Sequence, residues 1–228
     1  MLTTRLFAGL SLSLLLVGCQ KKTYPELVPV TFLPTVTITP SSRTLHRGDT
    51  LWLEANFSDS LLDLNSGHRY RVRPQDIKLN SSLFYKELVG IGKEAEGNAP
   101  TFRLVEKIGH ASINGAFSGN LEPVYDGHYY RARIGLIPTK ACIASISMGL
   151  TPATDERQPL LPFIQLPPDA QGREQKAQLD DSFYIINDGK ANNFDLYQQY
   201  YKAYSLAPGT PPKSIIYEQK STFTVEVQ

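Results

Sequence analysis

The side chains best able to do chemistry are few and scattered. Histidine occurs four times, at His46, His68, His110 and His128, each near a turn signal. None has a second ligand-type residue at the H-x-x-x-H or C-x-x-C spacing that brings two donors onto one metal ion. Zinc would need the four to converge from separate loops, so no metal is expected. The chain carries no G-x-S-x-G elbow, no S-x-x-K and no P-loop. In Gly115-Ala-Phe-Ser-Gly119 the serine lies between glycines at the wrong spacing, inside a strand-like run. Glu54, Glu122, Asp126 and Asp181 are carboxylates of the kind a retaining glycosidase holds about 5–5.5 Å apart. Nothing in their spacing selects a pair. The expectation is a chain that is not an enzyme and takes no cofactor.

Two oxygen-rich clusters stand out: Asp59, Asp63 and Asn65 before Gly67, and Asn187, Asp188, Asn192, Asn193 and Asp195. Calcium takes 6–8 such ligands, but neither cluster follows D-x-[DN]-x-[DN]-G, and Asn and Asp favour turns for their own backbone reasons. Structural turns are the better reading. Cys142 sits in the strand-like run Cys142–Met148 and reads as an inert core cysteine.

The aromatic residues carry the more open choice. Twelve tyrosines accompany one tryptophan, Trp52. Phe194, Tyr197, Tyr200, Tyr201 and Tyr204 recur at the spacing of one helical face, predicting a helix over about 192–205, capped by Asn192 or Asn193 and ended before Pro208-Gly209. Tyr197, Tyr200, Tyr201, Tyr204 and Trp52 are the candidate binding side chains, each ring offering apolar area for stacking on sugar or protein and each tyrosine a polar hydroxyl. The competing reading packs the helix face onto the body of the domain, since a short helix is marginal without a buried face.

The elements that position these residues are strands. In Thr50–Phe57, Leu51, Leu53, Ala55 and Phe57 alternate with Thr50, Trp52, Glu54 and Asn56, the period of a half-buried strand. Further strands are expected at 35–39, 69–72, 101–108, 112–117, 128–137, 142–148, 182–187 and 222–227, separated by Gly, Pro, Asn and Asp clusters. Many short strands with such punctuation predict a mainly β, antiparallel sandwich. Residues 151–178, with Pro152, Pro159, Pro162, Pro167 and Pro168, are expected to be an insertion draped over the sandwich or a mobile flap. The reading is one domain over 35–228.

The N-terminus supplies the address. Met1–Arg5 is a short positive stretch, and Leu6–Val17 is an apolar run too short to span a bilayer, which takes about 20 residues. It ends in Leu16-Val17-Gly18-Cys19, which resembles the lipobox of bacterial lipoproteins. That resemblance implies a signal peptide over 1–18, removal of which leaves a lipid (palmitate among its acyl chains) on Cys19 and a membrane anchored through it. Residues 19–34, with Pro25, Pro29 and Pro34, then read as an extended tether. Gln20 after the cysteine resembles outer-membrane sorting, placing the chain in the cell envelope facing the periplasm or the outside. With Cys19 acylated, Cys142 is the one free thiol and no intramolecular disulfide is expected.

Of 228 residues, 23 are Lys or Arg and 22 are Asp or Glu, and loss of Arg5 with the leader balances the charge. No long-range field then draws nucleic acid, so no nucleic-acid partner is expected. At 41% hydrophobic and 20% charged the chain folds rather than remaining disordered.

The strand, Pro40, the turn at Gly48-Asp49 and the strand ending in Phe57-Ser-Asp59 resemble the opening of an immunoglobulin-like domain. Ser221–Val227 resembles its last strand, and Asp126-Gly-His-Tyr-Tyr-Arg-Ala-Arg133 its late strand braced by a corner tyrosine. The whole resembles uncharacterised lipoproteins of Bacteroidota. Asp59-Ser60-Leu61 resembles the O-glycosylation sequon of that phylum, which implies a glycan on Ser60 in an exposed loop; Asp49-Thr50-Leu51 is a second match. The implied function is a non-catalytic binding or scaffold module with an unknown protein or glycan partner. The alternatives are a carbohydrate-binding accessory of a glycan-uptake system and a hydrolase.

Overall fold

Alternation of apolar and polar residues builds the sheets of this protein. The computed structural model describes residues 24–90, 93–94, 102–115, 118–152, 154, 158–200 and 212–228. The expected leader, Cys19, Tyr201 and Tyr204 lie outside these residues. The chain opens with β1 (Glu26–Val30), β2 (Thr35–Thr39), β3 (Thr44–Leu45), β4 (Leu51–Ser58), β5 (Ser60–Leu62) and β6 (Arg69–Arg71). It continues through β7 (Leu79–Gly90), β8 (Lys93–Glu94), β9 (Phe102–Ile108), β10 (His110–Ile113), β11 (Ser118–Glu122) and β12 (Val124–Tyr125). The last part holds β13 (Tyr129–Pro138), β14 (Cys142–Pro152), β15 (Gln175–Leu179), β16 (Ser182–Phe183), β17 (Ile185–Ile186), helices α1 (Phe194–Tyr200) and α2 (Pro212–Lys220), and β18 (Thr222–Val227).

The fold is mainly β, in two principal sheets. One runs β10-β11-β7-β14-β18-β3, with β16 beside β14 and β8 beside β7; the other runs β12-β13-β4-β2-β17, with β9 beside β13. In β4, Leu51, Leu53, Ala55 and Phe57 are buried while Trp52, Glu54, Asn56 and Ser58 face outward, as the sequence predicts. In β14 the inward set is Ala144, Ile146, Met148 and Leu150. Inward residues of both sheets belong to one core cluster, so the sheets share a single apolar interior, as in a sandwich.

The chain passes between the sheets at defined corners. It leaves β2 of one sheet through the cis Thr39-Pro40 bond and enters β3 of the other. It crosses again at Gly109, between β9 and β10, where φ is +79° and a Cβ would sit 2.7 Å from the Glu122 carbonyl oxygen. Only glycine meets both demands at that corner.

Several expectations require correction. Residues 26–34 are not tether. β1 lies parallel to β15 in register Glu26↔Gln175 through Val30↔Leu179, and Val30 and Phe32 are buried. The Thr31 N–H donates to the Asp63 carboxylate at 2.8 Å and the Phe32 N–H to Ser182 Oγ at 2.8 Å. Pro29 is tolerated because β1 is an edge strand and the residue faces outward. In the Pro-rich stretch, β14 extends to Pro152, β15 occupies 175–179, and among the described residues between them Leu161 and Ile164 are buried. The helix at 192–205 is described over Phe194–Tyr200, and α2 is a second, unforeseen helix. The longest strand, β7, escapes the sequence pattern because a buried serine, Ser81, faces the core and a phenylalanine, Phe84, faces out.

Candidate functional site

The outer face of the eight-stranded sheet carries a cleft of about 550 Å³, lined by Phe84, Gly149, Leu150, Thr151, Asp181, Ser182, Phe183, Tyr217 and Glu218. Its floor follows from strand register. β14 pairs Gly149 with Ser82 of β7 on one side and with Phe183 of β16 on the other. Gly149 has no side chain, and the Phe84 ring reaches over it, 3.6 Å from where a Cβ would lie. Phe84 stays 38% exposed. Across the cleft, Phe183 meets Tyr217 of α2 edge to face, with centroids 5.4 Å apart.

Polar groups complete the lining. The Ser82 and Thr151 hydroxyls lie 2.8 Å apart on the outer sheet face. Ser182 is committed to the fold, accepting from Phe32 N–H and donating to the Asp180 carbonyl at 3.1 Å. Asp181 is exposed, whereas Oε2 of Glu218 is buried and has no hydrogen-bond partner. A buried carboxylate oxygen without a donor is costly, and it suits a ligand bringing hydroxyl or N–H donors. Aromatic edges, an exposed ring and acceptor oxygens together can hold a small amphipathic ligand.

Among the described residues, Trp52 lies on a different sheet from α1, which carries Tyr197 and Tyr200. Tyr197 is 9% exposed, stacked on Phe194 with centroids 5.5 Å apart, and α1 packs against β18 and β7. Its ring therefore serves packing, because the short helix needs a buried face. Tyr200 is half-buried at the end of α1. Trp52 lies on the outer face of the other sheet, spread across Gly135, whose Cβ would be 3.2 Å from the ring. The Arg133 guanidinium lies 4.8 Å from the Trp52 ring centroid and also pairs with Glu54 at 3.2 Å. Trp52 is thus occupied by intramolecular partners.

Ser60 is not in an open loop. It begins β5, paired with Arg71 of β6, half-buried, with Asp59 and Leu61 buried on either side. Asp59 anchors a polar corner: its Oδ2 accepts from Arg71 Nε at 2.8 Å and from the Tyr125 hydroxyl at 2.8 Å. Burial pushes the Asp59 carboxyl up, but the hydrogen bonds from Arg71 and Tyr125 and the charges of Arg71 and His128 outweigh it and hold the group below the usual carboxylate range. The buried Tyr130 hydroxyl donates to the Val72 carbonyl at 3.0 Å.

The oxygen-rich clusters form turns. Asp63 is 2% exposed and accepts from the N–H groups of Thr31, Asn65 and Ser66. Asn187 Oδ1 accepts from Ile38 N–H at 2.8 Å, and its amide donates to the Ile38 and Ala191 carbonyls. Asn192 and Asn193 line a second, polar depression of about 470 Å³, but their amides donate to Gln219 and to Ser42 and Thr224 carbonyls. Among the described residues no three His, Cys, Asp or Glu side chains gather as a metal site. Burial and the Glu87 carboxylate push the half-buried Cys142 thiol up to about 11, against the opposing charge of Lys140.

The cleft was missed in the sequence because its residues come from β7, β14, β16 and α2. No local signal marked it: Phe84 stands between Leu83 and Tyr85 in an apolar run, and nothing in that run shows which ring faces out. Compared with known protein families, curated proteins and solved structures, the chain matches none.

Proposed function

We propose that this protein is a lipid-anchored, non-catalytic binding module of the bacterial cell envelope. Its sandwich presents the Phe84–Phe183–Tyr217 cleft to a ligand. The observation that carries the binding reading is the juxtaposition of an exposed ring with a buried, unpartnered carboxylate oxygen in one cleft. The anchor reading rests on the Leu16-Val17-Gly18-Cys19 pattern after an apolar run. An outer-membrane location follows from Gln20 by the same resemblance.

The sandwich reads further as immunoglobulin-like. Its first strand is split, β2 antiparallel to β4 and β3 parallel to the last strand, β18. β4 lies beside β13, and β14 lies between β7 and β18. These neighbours support the two-sheet order of such domains.

A carbohydrate ligand is the second reading, favoured by Phe84: a flat, solvent-facing ring stacks on a sugar face while Glu218, Asp181 and Thr151 meet hydroxyls. Affinity electrophoresis in gels containing xylan, mannan or dextran tests it. Retardation of the wild type that is lost in Phe84→Ala supports it; equal mobility of the two in every gel removes it. For the anchor, wild type and Cys19→Ala are grown with labelled palmitate and fractionated. Label and membrane association confined to the wild type support the anchor, and an unlabelled wild type overturns it. Protease treatment of intact and lysed cells then distinguishes an outward from a periplasmic face.

A further inference from the structure

The strand that captures the N-terminal segment also shortens the leash between lipid and domain. From Cys19 to Glu26 there are seven residue steps, a reach of at most ~25 Å at full extension. A folded domain of this size is about 40 Å across. The sheet edge at β1 therefore stays within one domain diameter of the lipid surface.

The face presented there carries exposed apolar side chains beside Lys176 and Gln178. Register pairs Leu27 with Lys176 and Pro29 with Gln178, and an isolated bridge pairs Gln178 with Leu160. Paired residues project to the same side of a sheet, so Leu27, Pro29, Lys176, Gln178 and Leu160 share one face. The alternate set, Val30, Ala177, Leu179 and Leu161, is buried in the core. Leu27 is 50% exposed, Leu160 46% and Tyr24, just before the strand, 79%. Three of the seven large apolar side chains left exposed among the described residues thus fall at the end that carries the leash.

Charge does not select this face. Arg173 pairs with Asp169 at 2.5 Å and with Glu26 at 3.4 Å, and Lys176 pairs with Glu174 at 3.6 Å. With both signs present and paired, attraction to anionic headgroups is weak, and what remains is aliphatic and tyrosine surface suited to the membrane interface.

We propose that the outer face formed by β1, β15 and the segment around Leu160 rests on the lipid surface, so that the domain lies against the membrane with its sheet edge down. The proposal rests on the anchor reading of Cys19. The test uses the full chain, expressed with its leader, carrying Cys142→Ser and a bimane fluorophore at either Leu160→Cys or Asn56→Cys, the latter on the exposed outer face of β4. Each protein is reconstituted into phosphatidylcholine vesicles with brominated acyl chains, and the mass of its N-terminal peptide reports acylation.

In acylated protein, bimane at position 160 is expected to be quenched about twofold while position 56 is not, since only the docked face reaches the acyl boundary. The difference should persist in about 0.5 M salt, where screening removes any headgroup attraction. Leu27→Ser with Tyr24→Ser should abolish it. Equal quenching, or none, at both positions of acylated protein overturns the docking while leaving the anchor intact. An unacylated N-terminal peptide instead overturns the anchor reading and the docking with it.

Discussion

Ser81 and Tyr184 offer the cleanest test of how this core is held. Ser81 Oγ donates to the Tyr184 hydroxyl at 2.6 Å, and both side chains are fully buried. Ser81 belongs to β7, while Tyr184 lies between β16 and β17, 103 residues later, with its ring edge on Phe57 at 5.7 Å. Deleting either hydroxyl loses a bond worth about 1 kcal/mol net and strands its partner, a neutral hydroxyl, at a further ~1–2 kcal/mol. Tyr184→Phe and Ser81→Ala should therefore each cost about 2–3 kcal/mol. The double variant strands nothing and should cost about 1 kcal/mol, so the cycle gives a coupling of about 3–5 kcal/mol. At about 2–4 °C per kcal/mol for a domain of this size, each single variant melts about 4–12 °C lower. Urea unfolding followed by circular dichroism gives the four free energies, with an unchanged slope confirming that only the native state was altered. If the double variant costs the sum of the singles, the two hydroxyls do not satisfy each other and the reasoning fails.

Three further outcomes follow from other parts of the fold. Because the folded Asp59 carboxyl lies below its unfolded value near 3.9, its stabilising contribution is complete above that value and is lost as pH falls through the folded one. The urea midpoint of Asp59→Asn should accordingly lie below wild type at pH 7 and converge on it toward pH 3; a gap that widens on acidification contradicts the assignment. Gly109→Ala places a Cβ 2.7 Å from the Glu122 carbonyl oxygen at φ +79°, and should cost about 2–3 kcal/mol in the same assay; a cost under about 0.5 would show that the corner relaxes freely. Cys142, with its thiol raised to about 11, should react with a disulfide reagent at neutral pH on the order of a hundredfold more slowly than an ordinary thiol, its rate climbing with pH beyond 9. A rate already at its plateau by pH 8 would contradict the raised value.

The strands readable from sequence are those whose residues alternate between apolar and polar, whichever faces are buried. β4 alternates without exception from Leu51 to Ser58, and β18 matches its expected bounds, Thr222–Val227. β7 was hidden because its inward Ser81 is satisfied by Tyr184, a partner supplied from another part of the chain, and its outward Phe84 serves a cleft. Phe194 and Tyr197 were legible as a helical face, and burial of Tyr197 shows that its ring packs onto the body of the domain.

By itself, the sequence determined the β class and the turn chemistry of Asp63 and Asn187, because each is set by side chains within a few residues of one another. Only the tertiary structure decided that Glu26–Val30 is strand rather than tether, since its partner lies about 150 residues away at Gln175–Leu179. The same holds for the cleft and for the exposed face at Leu27 and Leu160. Their residues meet through strand register, and register between distant segments is chosen by the shared core rather than by any local pattern.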